Sequence, residues 1–438
     1  MRTDRSRRRP TARSRRRRRR PASSRVAAVS PLAVPLPALP PLDGVRMAAA
    51  AAGIRYPGRR DAVLVELAPG TTVAGVFTRN KCPGAPVDWC RAALRGGRAR
   101  AVVVNAGNAN VFTGAAGREA VRATADTAAG LLGCPTRQVF LASTGVIGEA
   151  LPYDRLTAAL PAMHADLRPD AWEDAARGIM TTDTFPKAAT RTARIGDGEV
   201  RITGIVKGSG MIAPDMATML GFVFTDAKIP APLLQKMLTA GVDRSFNCTT
   251  VDSDTSTSDT VLLFATGQAR HARVPATGGS ATGGPLLRAF RAALFAVLHD
   301  LALAVVRDGE GAQKLVRIDV SGAVSPRSAR RVALAIGNSP LVKTAIAGGD
   351  ANWGRIVMAV GKAGEPAERD KLSVAVGGVW MARAGSLVPD YDEAPVVAHM
   401  TGREIAIAVD LGLGGGRATA WTCDLTHGYI DINGAYRS

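Results

Sequence analysis

The sequence predicts an α/β fold, a layered sandwich of sheets and helices in two lobes. Segments with strand-like patterning alternate with segments of helical spacing along most of the chain. The chain has 438 residues, which exceeds the size at which one hydrophobic core stops growing. No internal repeat of roughly 20–50 residues is visible, which excludes solenoids and propellers. We therefore expect two lobes that divide near residue 310.

The predicted strands of the first lobe are short apolar runs bounded by Gly, Pro or polar residues. They are the run AVLVEL from Ala62, the run VAGVFT from Val73, and residues 101–104, 138–142 and 219–224. The last of these runs follows Thr218 directly, so that residue stands at the start of a strand.

The predicted helices of the first lobe have apolar residues three and four positions apart. They span residues 118–132, 170–180, 230–241 and 286–306. Gly133 suits the C′ position at the end of the first of these helices. The last helix is the longest, and its apolar stretch contains Arg288, Arg291, His299 and Asp300. These polar and charged side chains predict a packed helix rather than a membrane span.

After residue 310 the pattern remains mixed. We expect strands at residues 316–320 and 331–335, followed by a helix with Ser339 as its N-cap and Pro340 at N1. Residues 412–416 read GLGGG, but they lack the GxGxxG pattern that opens a helix in a nucleotide-binding unit. We interpret them as a loop that precedes a strand at residues 417–422.

Residues 1–40 differ in composition from the rest of the chain. The net charge is +19, and thirteen arginines and one aspartate in this segment supply +12 of it. The arginine-rich part is followed by a Pro-rich stretch at residues 31–41. Residues 1–41 as a whole have no apolar periodicity, which predicts a disordered Arg/Pro-rich extension. A nucleic-acid-binding protein that acts through this tail is one alternative function. However, no aromatic residue lies among the arginines to stack on a base.

Cysteine and histidine usage excludes several classes of site. The five cysteines are widely spaced without a CxxC pair, and the histidines are scattered. This argues against a disulfide framework, a metal site and a Ser-His-Asp triad. We expect a reducing, cytoplasmic location. The mitochondrial matrix is the alternative if the tail is a transit peptide, although residues 1–25 have no Leu, Ile, Val or Phe for an apolar helix face.

Residues 207–220 read KGSGMIAPDMATML and combine features that suit cleavage of the backbone before Thr218. Ala217 is a small residue on the acyl side, Thr218 supplies a hydroxyl on the amine side, and the glycines permit strained turns. Attack of the hydroxyl on the Ala217 carbonyl, followed by ester hydrolysis, would free the Thr218 α-amine. That amine, with an ordinary pKa of about 8, could then act as base for its own hydroxyl. An ordinary Gly-rich turn has the same composition.

This segment closely resembles the self-processing segment of the ornithine acetyltransferase (glutamate N-acetyltransferase) family, which comprises bifunctional arginine biosynthesis proteins. Seven further segments between about residue 42 and the C-terminus resemble signatures of that family, in the same order. They are residues 105–110 (NAGNAN), 142–148 (ASTGVIG), 181–187 (TTDTFPK), 252–259 (DSDTSTSD), 308–314 (DGEGAQK), 338–355 (NSPLVKTAIAGGDANWGR) and 423–438.

The resemblance implies the ornithine acetyltransferase type of fold and a ping-pong transfer of acetyl from N2-acetyl-L-ornithine to L-glutamate. It implies cleavage between Ala217 and Thr218, with acetyl-Thr218 as the intermediate. Thr144 and Gly145 match the family's oxyanion pair, whose donors stabilise the tetrahedral intermediates of acyl transfer. The residues that match the family's substrate contacts are Thr184, Lys207, Thr218, Glu310, Asn433 and Ser438. Among these, Glu310 is the matching carboxylate for the ornithine ammonium.

The same resemblance implies how the chain is divided and what it binds. Residues 42–217 would form an α fragment with the oxyanion and substrate residues, and residues 218–310 would begin a β fragment with the nucleophile. Residues 311–438 would form a C-terminal lobe that completes the pocket. The fragments would pair in a heterotetramer without a cofactor or a membrane partner. Whether acetyl-CoA also serves as a donor stays open.

Two departures from the family pattern bear on these expectations. Asp215 stands where the family usually has Asn beside the cleavage site, and Ser253 and Ser258 replace the usual Gly and Asn. A carboxylate three residues from the scissile bond would be expected to alter the cleavage rate or the pKa of the Thr218 amine. An N-terminal-nucleophile aminopeptidase or amidohydrolase, with water as the acceptor, is the alternative enzyme.

Overall fold

The computed structural model describes residues 28–55, 57–213, 219–275 and 284–434. The strands in this part of the chain are β1 (Val45–Ala50), β2 (Ala62–Leu67), β3 (Thr72–Phe77), β4 (Ala101–Asn108), β5 (Val139–Val146), β6 (Lys187–Ile195), β7 (Gly198–Lys207), β8 (Leu220–Thr225), β9 (Thr260–Ala265), β10 (Leu315–Ala323), β11 (Ser373–Val376), β12 (Val379–Arg383), β13 (Ser386–Leu387), β14 (Glu404–Asp410) and β15 (Gly416–Cys423).

The α-helices lie between these strands in an irregular alternation. They are α1 (Ala85–Leu94), α2 (Gly114–Leu132), α3 (Tyr153–Ala165), α4 (Trp172–Gly178), α5 (Ala231–Val242), α6 (Arg288–Arg307), α7 (Pro326–Gly337), α8 (Pro340–Gly348), α9 (Trp353–Gly361), α10 (Ala394–Met400) and α11 (His427–Asn433). Short 3-10 turns lie at Thr136–Gln138, Phe246–Cys248, Pro285–Leu287 and Arg369–Lys371.

The strands form three mixed sheets. The first has the order β1-β2-β4-β5, and its β4–β5 pair is parallel. The second has the order β3-β9-β8-β7-β6, and its β8–β9 pair is parallel. The third has the order β13-β12-β11-β14-β10-β15, with β10 and β14 parallel. The remaining pairs in all three sheets are antiparallel.

The first two sheets pack face to face and are covered on their outer faces by helices. Side chains such as Phe140 from the first sheet and Phe264 from the second share one buried cluster, in which the two rings meet edge to face. The outer face of the first sheet packs on α2 and α3, and that of the second packs on α5 and α6. This order of helix, sheet, sheet and helix confirms the predicted layered α/β architecture.

The third sheet is built entirely from strands that follow residue 314. It has its own core against α7, α9 and α10, to which Val332, Ile356 and Val396 contribute. The parallel pair β10–β14 lies inside this sheet, and its strands alternate buried and more exposed residues over much of their length. The chain therefore passes into a new sheet close to residue 310.

Most predicted elements exist, with shifted ends. The prediction of a strand at residues 331–335 is wrong, because these residues lie within α7. Residues 331–335 (RVALA) are a short apolar run that does not distinguish a strand from a helix. Ser325 caps the helix by accepting the Ser328 N–H, and Pro326 occupies N1. The buried Val332 and Ile336 are four residues apart, which is the helical spacing.

The predicted extension ends earlier than residue 41. Residues 28–41 are described, and Leu32 is buried to 4% exposure in the core of the second sheet. The Ser30 N–H donates to the Thr184 hydroxyl (2.9 Å), and the Ser30 hydroxyl donates to the Arg307 carbonyl (2.6 Å). Two specific hydrogen bonds and a buried leucine hold this stretch without any periodic pattern, which is why its sequence reads as disordered. The arginine tail proper, residues 1–27, lies outside the described residues.

Helix α6 is, within the described ranges, the one long and apolar enough to cross a membrane when the preceding Pro285–Leu287 turn is included. It packs against β6 and β7, with Phe290, Leu294 and Leu301 fully buried. Asp300 of this helix forms an ion pair with Arg191 of β6. We therefore identify α6 as a core helix of the second sheet.

Candidate active site

The candidate site lies where the ends of the first and second sheets meet. Strand β5 ends at Val146, just after Thr144, and β7 ends at Lys207. Lys207 is paired in register with Leu220 of β8, which is paired in turn with Thr260 of β9. The Lys207 ammonium crosses to the first sheet and donates to the Thr144 hydroxyl at 2.8 Å. This contact joins the predicted substrate lysine to the predicted oxyanion residue.

Lys207 is a buried cation that contacts two hydroxyls. Lys207 is only 4% exposed, and its Nζ also donates to the Thr181 hydroxyl at 3.0 Å. Burial lowers the pKa of Lys207, although the negative charge of Asp183 acts in the opposite direction. A lysine held in this way has the charge to bind a substrate carboxylate.

Gly145 allows the first sheet to make a sharp irregular turn beside Thr144. Its φ is +129°, which L side chains rarely adopt, and the β4–β5 register shifts at the facing Gly107. A Cβ atom at position 145 would lie well inside contact distance of the Gly107 carbonyl carbon. The position therefore requires glycine, and the turn brings residues 144 and 145 to the cavity between the sheets.

Gly145→Ala should lower kcat by about 10²–10³-fold, because the backbone must shift and the predicted oxyanion donors at residues 144 and 145 would move with it. The free energy of unfolding should also fall. Gly148→Ala is the matched control, since φ is +85° there but no atom lies within 4 Å of the added Cβ. That control should lose only about 1–2 kcal/mol of stability and keep its turnover. Steady-state kinetics and thermal unfolding of both variants distinguish two effects, a displacement of residues 144 and 145 and the strain of an alanine at positive φ.

A fully buried ion cluster lies next to Lys207. Lys187 Nζ donates to Asp183 Oδ1 (2.7 Å) and to Asp308 Oδ2 (2.6 Å). The side chains of all three residues are fully buried. Asp183 Oδ1 also accepts the Gly208 N–H at 2.7 Å. Burial alone would raise the pKa of Asp183, but Lys187 and Lys207 bring it below its ordinary value. The cluster thus fixes the backbone next to Lys207.

Thr184 contacts this supporting cluster and is not among the residues that line the cavity, and its predicted substrate contact stays a prediction. Its hydroxyl donates to Asp308 and accepts the Ser30 N–H, and its backbone N–H donates to Asp308 Oδ2 at 2.8 Å. Among the described residues, the threonines of this segment that line the cavity are Thr181 and Thr182. Three threonines stand within four positions, so sequence spacing alone does not identify the one that faces the substrate.

Glu310 and Asn433 also line this cavity and contact each other. Asn433 Nδ2, from the C-terminal helix α11, donates to Glu310 Oε2 at 2.6 Å. Burial raises the pKa of Glu310, while its hydrogen bonds from Asn433 and Thr182 act to lower it. Gly210 lies directly against the carboxylate, where a Cβ atom would collide with it. The structure therefore brings these two predicted residues together as one polar wall.

Two carboxylates hold the chain on either side of residues 214–218. Asp252 accepts the N–H groups of Met211 (2.6 Å) and Ile212 (2.8 Å) on the upstream side. Asp259 accepts the Met219 N–H at 3.0 Å on the downstream side. Both belong to the 252–259 segment, for which the sequence predicted no role. An Asp at each end of a segment rich in Ser and Thr is the signal that could have identified them.

Several predicted residues lie outside the described part of the chain. These are the cleavage pair Ala217 and Thr218, the variant position Asp215, and the C-terminal Ser438. Ser253, which replaces a family glycine, adopts a φ of +64°. That value lies in the left-handed region that glycine favours, so a serine at this position bears a local backbone strain.

Most of the described residues that line the cavity have polar or small side chains, and Ile147 and Met211 are the larger apolar exceptions. The lining residues that can bind a polar ligand, or that are predicted to stabilise an oxyanion, are Thr144, Gly145, Thr181, Thr182, Lys207, Glu310 and Asn433. Within this set a cation and a carboxylate are both present, with hydroxyls between them. Such a cavity can bind a ligand that carries both a carboxylate and an ammonium.

The chain is similar to several known proteins. A sequence model of the ArgJ family matches residues 46–438. The chain is 64% identical over 410 residues to the "Arginine biosynthesis bifunctional protein ArgJ" of Gluconobacter oxydans, which covers 94% of this chain and 96% of the relative. An ArgJ structure from Bacillus halodurans is 37% identical, covering 48% of this chain and 96% of that chain with a TM-score of 0.44. An ornithine acetyltransferase from Mycobacterium tuberculosis, solved with ornithine, is 35% identical over 40% of this chain and 92% of that chain, with a TM-score of 0.35.

Proposed function

The chain belongs to the ArgJ family of bifunctional arginine biosynthesis enzymes, and on that premise we propose a specific reaction for it. The enzyme cleaves itself between Ala217 and Thr218, takes the acetyl group of N2-acetyl-L-ornithine onto Thr218, and passes it to L-glutamate. The observation that supports this best is the Lys207–Thr144 contact, which joins a buried cation to the oxyanion turn beside the segment that contains Thr218.

Self-cleavage would begin with attack of the Thr218 hydroxyl oxygen on the Ala217 carbonyl carbon. A C–O bond forms, the C–N bond breaks, and the hydroxyl proton ends on the departing nitrogen. Water then hydrolyses the ester, which releases the Ala217 carboxylate and restores the Thr218 hydroxyl. The new α-amine belongs to the same residue as the hydroxyl, so that nucleophile and base are one unit.

Acetyl transfer then proceeds in two half-reactions through tetrahedral oxyanions. The Thr218 amine accepts the hydroxyl proton as the oxygen attacks the acetyl carbonyl, and ornithine leaves with that proton on its α-nitrogen. Glutamate attacks the acetyl-Thr218 ester in the same way. Because Lys207 donates to the Thr144 oxygen, the hydrogen of that hydroxyl is left for another acceptor, and the described residues offer it none. It is therefore available to the oxyanion.

The two charged walls of the cavity account for the choice of substrates. Lys207 would bind the α-carboxylate that N2-acetylornithine and glutamate share. Glu310 would bind the side-chain ammonium of ornithine. That ammonium would lower the pKa of Glu310, which burial raises. Asn433 already donates to Glu310 and so orients its carboxylate.

We extend the proposal to the assembly and the donor. The α and β fragments remain associated, because β7 and β8 lie on either side of the cut and are hydrogen-bonded neighbours. A heterotetramer, a reaction without a cofactor, acetyl-CoA as a second donor, and the cytoplasmic location stay predictions.

The acceptor distinguishes this proposal from the hydrolase alternative. Purified enzyme should convert N2-acetylornithine and glutamate into ornithine and N-acetylglutamate in equal amounts. Chromatography of all four compounds measures this conversion. Release of free acetate at the rate of ornithine formation, with glutamate unchanged, would instead identify an amidohydrolase.

A further inference from the structure

Thr257 brings to the cavity a buried hydroxyl that the proposed reaction does not yet use. The residue lines the same cavity as Lys207 and Glu310. Its Oγ1 atom is buried, and it has no hydrogen-bond partner among the described residues. A buried hydroxyl without a partner costs free energy, so such an atom in a cavity wall indicates a ligand that supplies the partner.

The backbone around Thr257 is held by residues that do not line the cavity. The Thr257 carbonyl accepts the Gly84 N–H at 2.9 Å. The carbonyl of the preceding Ser256 accepts the Thr78 hydroxyl at 2.5 Å. Two successive carbonyls are thus fixed by the segment that follows β3, so the place of the Thr257 side chain in the cavity wall is set by the fold.

The other polar side chains of the cavity are mostly engaged. Four further hydroxyls that line it already take part in hydrogen bonds, namely those of Thr144, Thr181, Thr182 and Ser256. Both hydrogens of the Asn433 amide are donated, one to Glu310 and one to the Tyr429 carbonyl. Among the described residues of the cavity wall, Thr257 is the one with a buried side-chain oxygen that has no partner.

The proposed reaction leaves one charged group of its substrates without a partner. Lys207 would bind the α-carboxylate that both substrates share, and Glu310 would bind the ornithine ammonium. Glutamate has a second carboxylate in place of that ammonium, and an ionised Glu310 repels it. Lys207 is the one cation among the described residues that line the cavity. A hydroxyl whose hydrogen is free to be donated suits this second carboxylate.

We propose that Thr257 is a specificity-determining residue whose hydroxyl donates a hydrogen bond to the side-chain carboxylate of the acceptor glutamate. This inference rests on the proposed function, and it concerns the second half-reaction alone. Ornithine ends in an ammonium and does not need this donor. Glu310 and Thr257 would therefore serve the two side chains separately, which lets a single cavity accept both substrates in turn.

The test compares the wild-type enzyme with Thr257→Val, which has nearly the same shape and lacks the hydroxyl. In a ping-pong reaction, kcat/KM for each substrate reports its own half-reaction. We expect kcat/KM for glutamate to fall by about 10–10²-fold, because a hydrogen bond to a charged group is lost. The value for N2-acetylornithine should be unchanged.

L-Norvaline identifies the group that Thr257 binds, because it is glutamate with a methyl group in place of the side-chain carboxylate. The wild-type preference for glutamate over norvaline should fall by the same 10–10²-fold, approximately, in Thr257→Val. Thr257→Ser keeps the hydroxyl and should retain most of the preference. Thr255→Val is the matched control, since Thr255 belongs to the same segment and is not among the residues that line the cavity. It should have wild-type kinetics.

An unchanged preference for glutamate in Thr257→Val would overturn the inference, as would an equal loss of kcat/KM for glutamate and for norvaline. So would a folded Thr257→Val chain that stays uncut, because the hydroxyl would then act before any acceptor binds. Thr257→Ala removes the same hydroxyl without added volume, and it takes the place of Thr257→Val if that variant does not fold.

Failure of the inference and failure of the proposed function give different results. If the wild-type enzyme acetylates glutamate and the loss of the Thr257 hydroxyl leaves the acceptor preference intact, the inference fails and the transferase stands. A wild-type enzyme that consumes N2-acetylornithine and acetylates no glutamate refutes the transferase and, with it, the acceptor role of Thr257.

Discussion

Thr218→Ala should remain a single uncut chain and should transfer no acetyl group. The substitution removes the hydroxyl that would attack the Ala217 carbonyl and that would later carry the acetyl group. Loss of a covalent nucleophile lowers kcat by about 10⁴-fold or more. Electrophoresis with mass detection measures the cleavage, and the glutamate acetylation assay measures the transfer.

Thr218→Ser provides the matched control for that variant. It keeps the hydroxyl and, after cleavage, the α-amine, so it should be cut and should retain measurable transfer. A Thr218→Ala chain that is cut after Ala217 and fully active would show that another residue is the nucleophile. The two variants differ by one oxygen atom, which makes the comparison direct.

Lys207→Met should lower kcat/KM by about 10²–10³-fold, the second largest effect that we expect. The ammonium holds both the Thr144 and the Thr181 hydroxyl, so its removal affects the oxyanion turn and the substrate carboxylate together. Asp183 and Glu310 would also lose a nearby positive charge. Steady-state kinetics with N2-acetylornithine over a range of concentrations measures the effect on both kcat and KM.

Lys228→Met is the control, because Lys228 is exposed and follows the opposite end of β8. It should have wild-type kinetics. Wild-type kcat/KM in Lys207→Met would contradict the central place given to this lysine. A rise in KM with unchanged kcat would restrict Lys207 to substrate binding and remove it from the oxyanion turn.

The sequence predicts the fold class and most elements because local patterns agree with the tertiary structure in the first two sheets. Helix α2 ends at Leu132, and the following Gly133 adopts the left-handed φ of +58° that its C′ position suggests. Helix α8 likewise begins at Pro340. The wrong strand at residues 331–335 shows how little a short apolar run determines, since Ser325 and Pro326 at the helix start are the stronger signal.

The site is predicted less completely, because its geometry depends on contacts between distant segments. The family resemblance identifies Lys207, Thr144, Glu310 and Asn433, and the structure brings these residues to one cavity. The resemblance does not show that Lys187 joins two carboxylates behind that cavity, since the three residues lie 4 and 121 positions apart.

Thr184 illustrates the same limit within a single segment. Its hydroxyl serves Asp308 and Ser30, while Thr181 contacts Lys207. The choice between these threonines depends on how the turn is folded, and this is set by Asp183 accepting the Thr181 N–H at 2.9 Å. The effect of Asp215 on cleavage stays a prediction, because that residue lies outside the described ranges.

Intact mass spectrometry before and after incubation with N2-acetylornithine tests the central claim most directly. We expect two fragments, residues 1–217 and 218–438, and the gain of one acetyl group on the second fragment alone. Addition of glutamate should remove that acetyl group. A single uncut chain, or a cut chain that never carries acetyl on residues 218–438, would contradict the proposed role of Thr218.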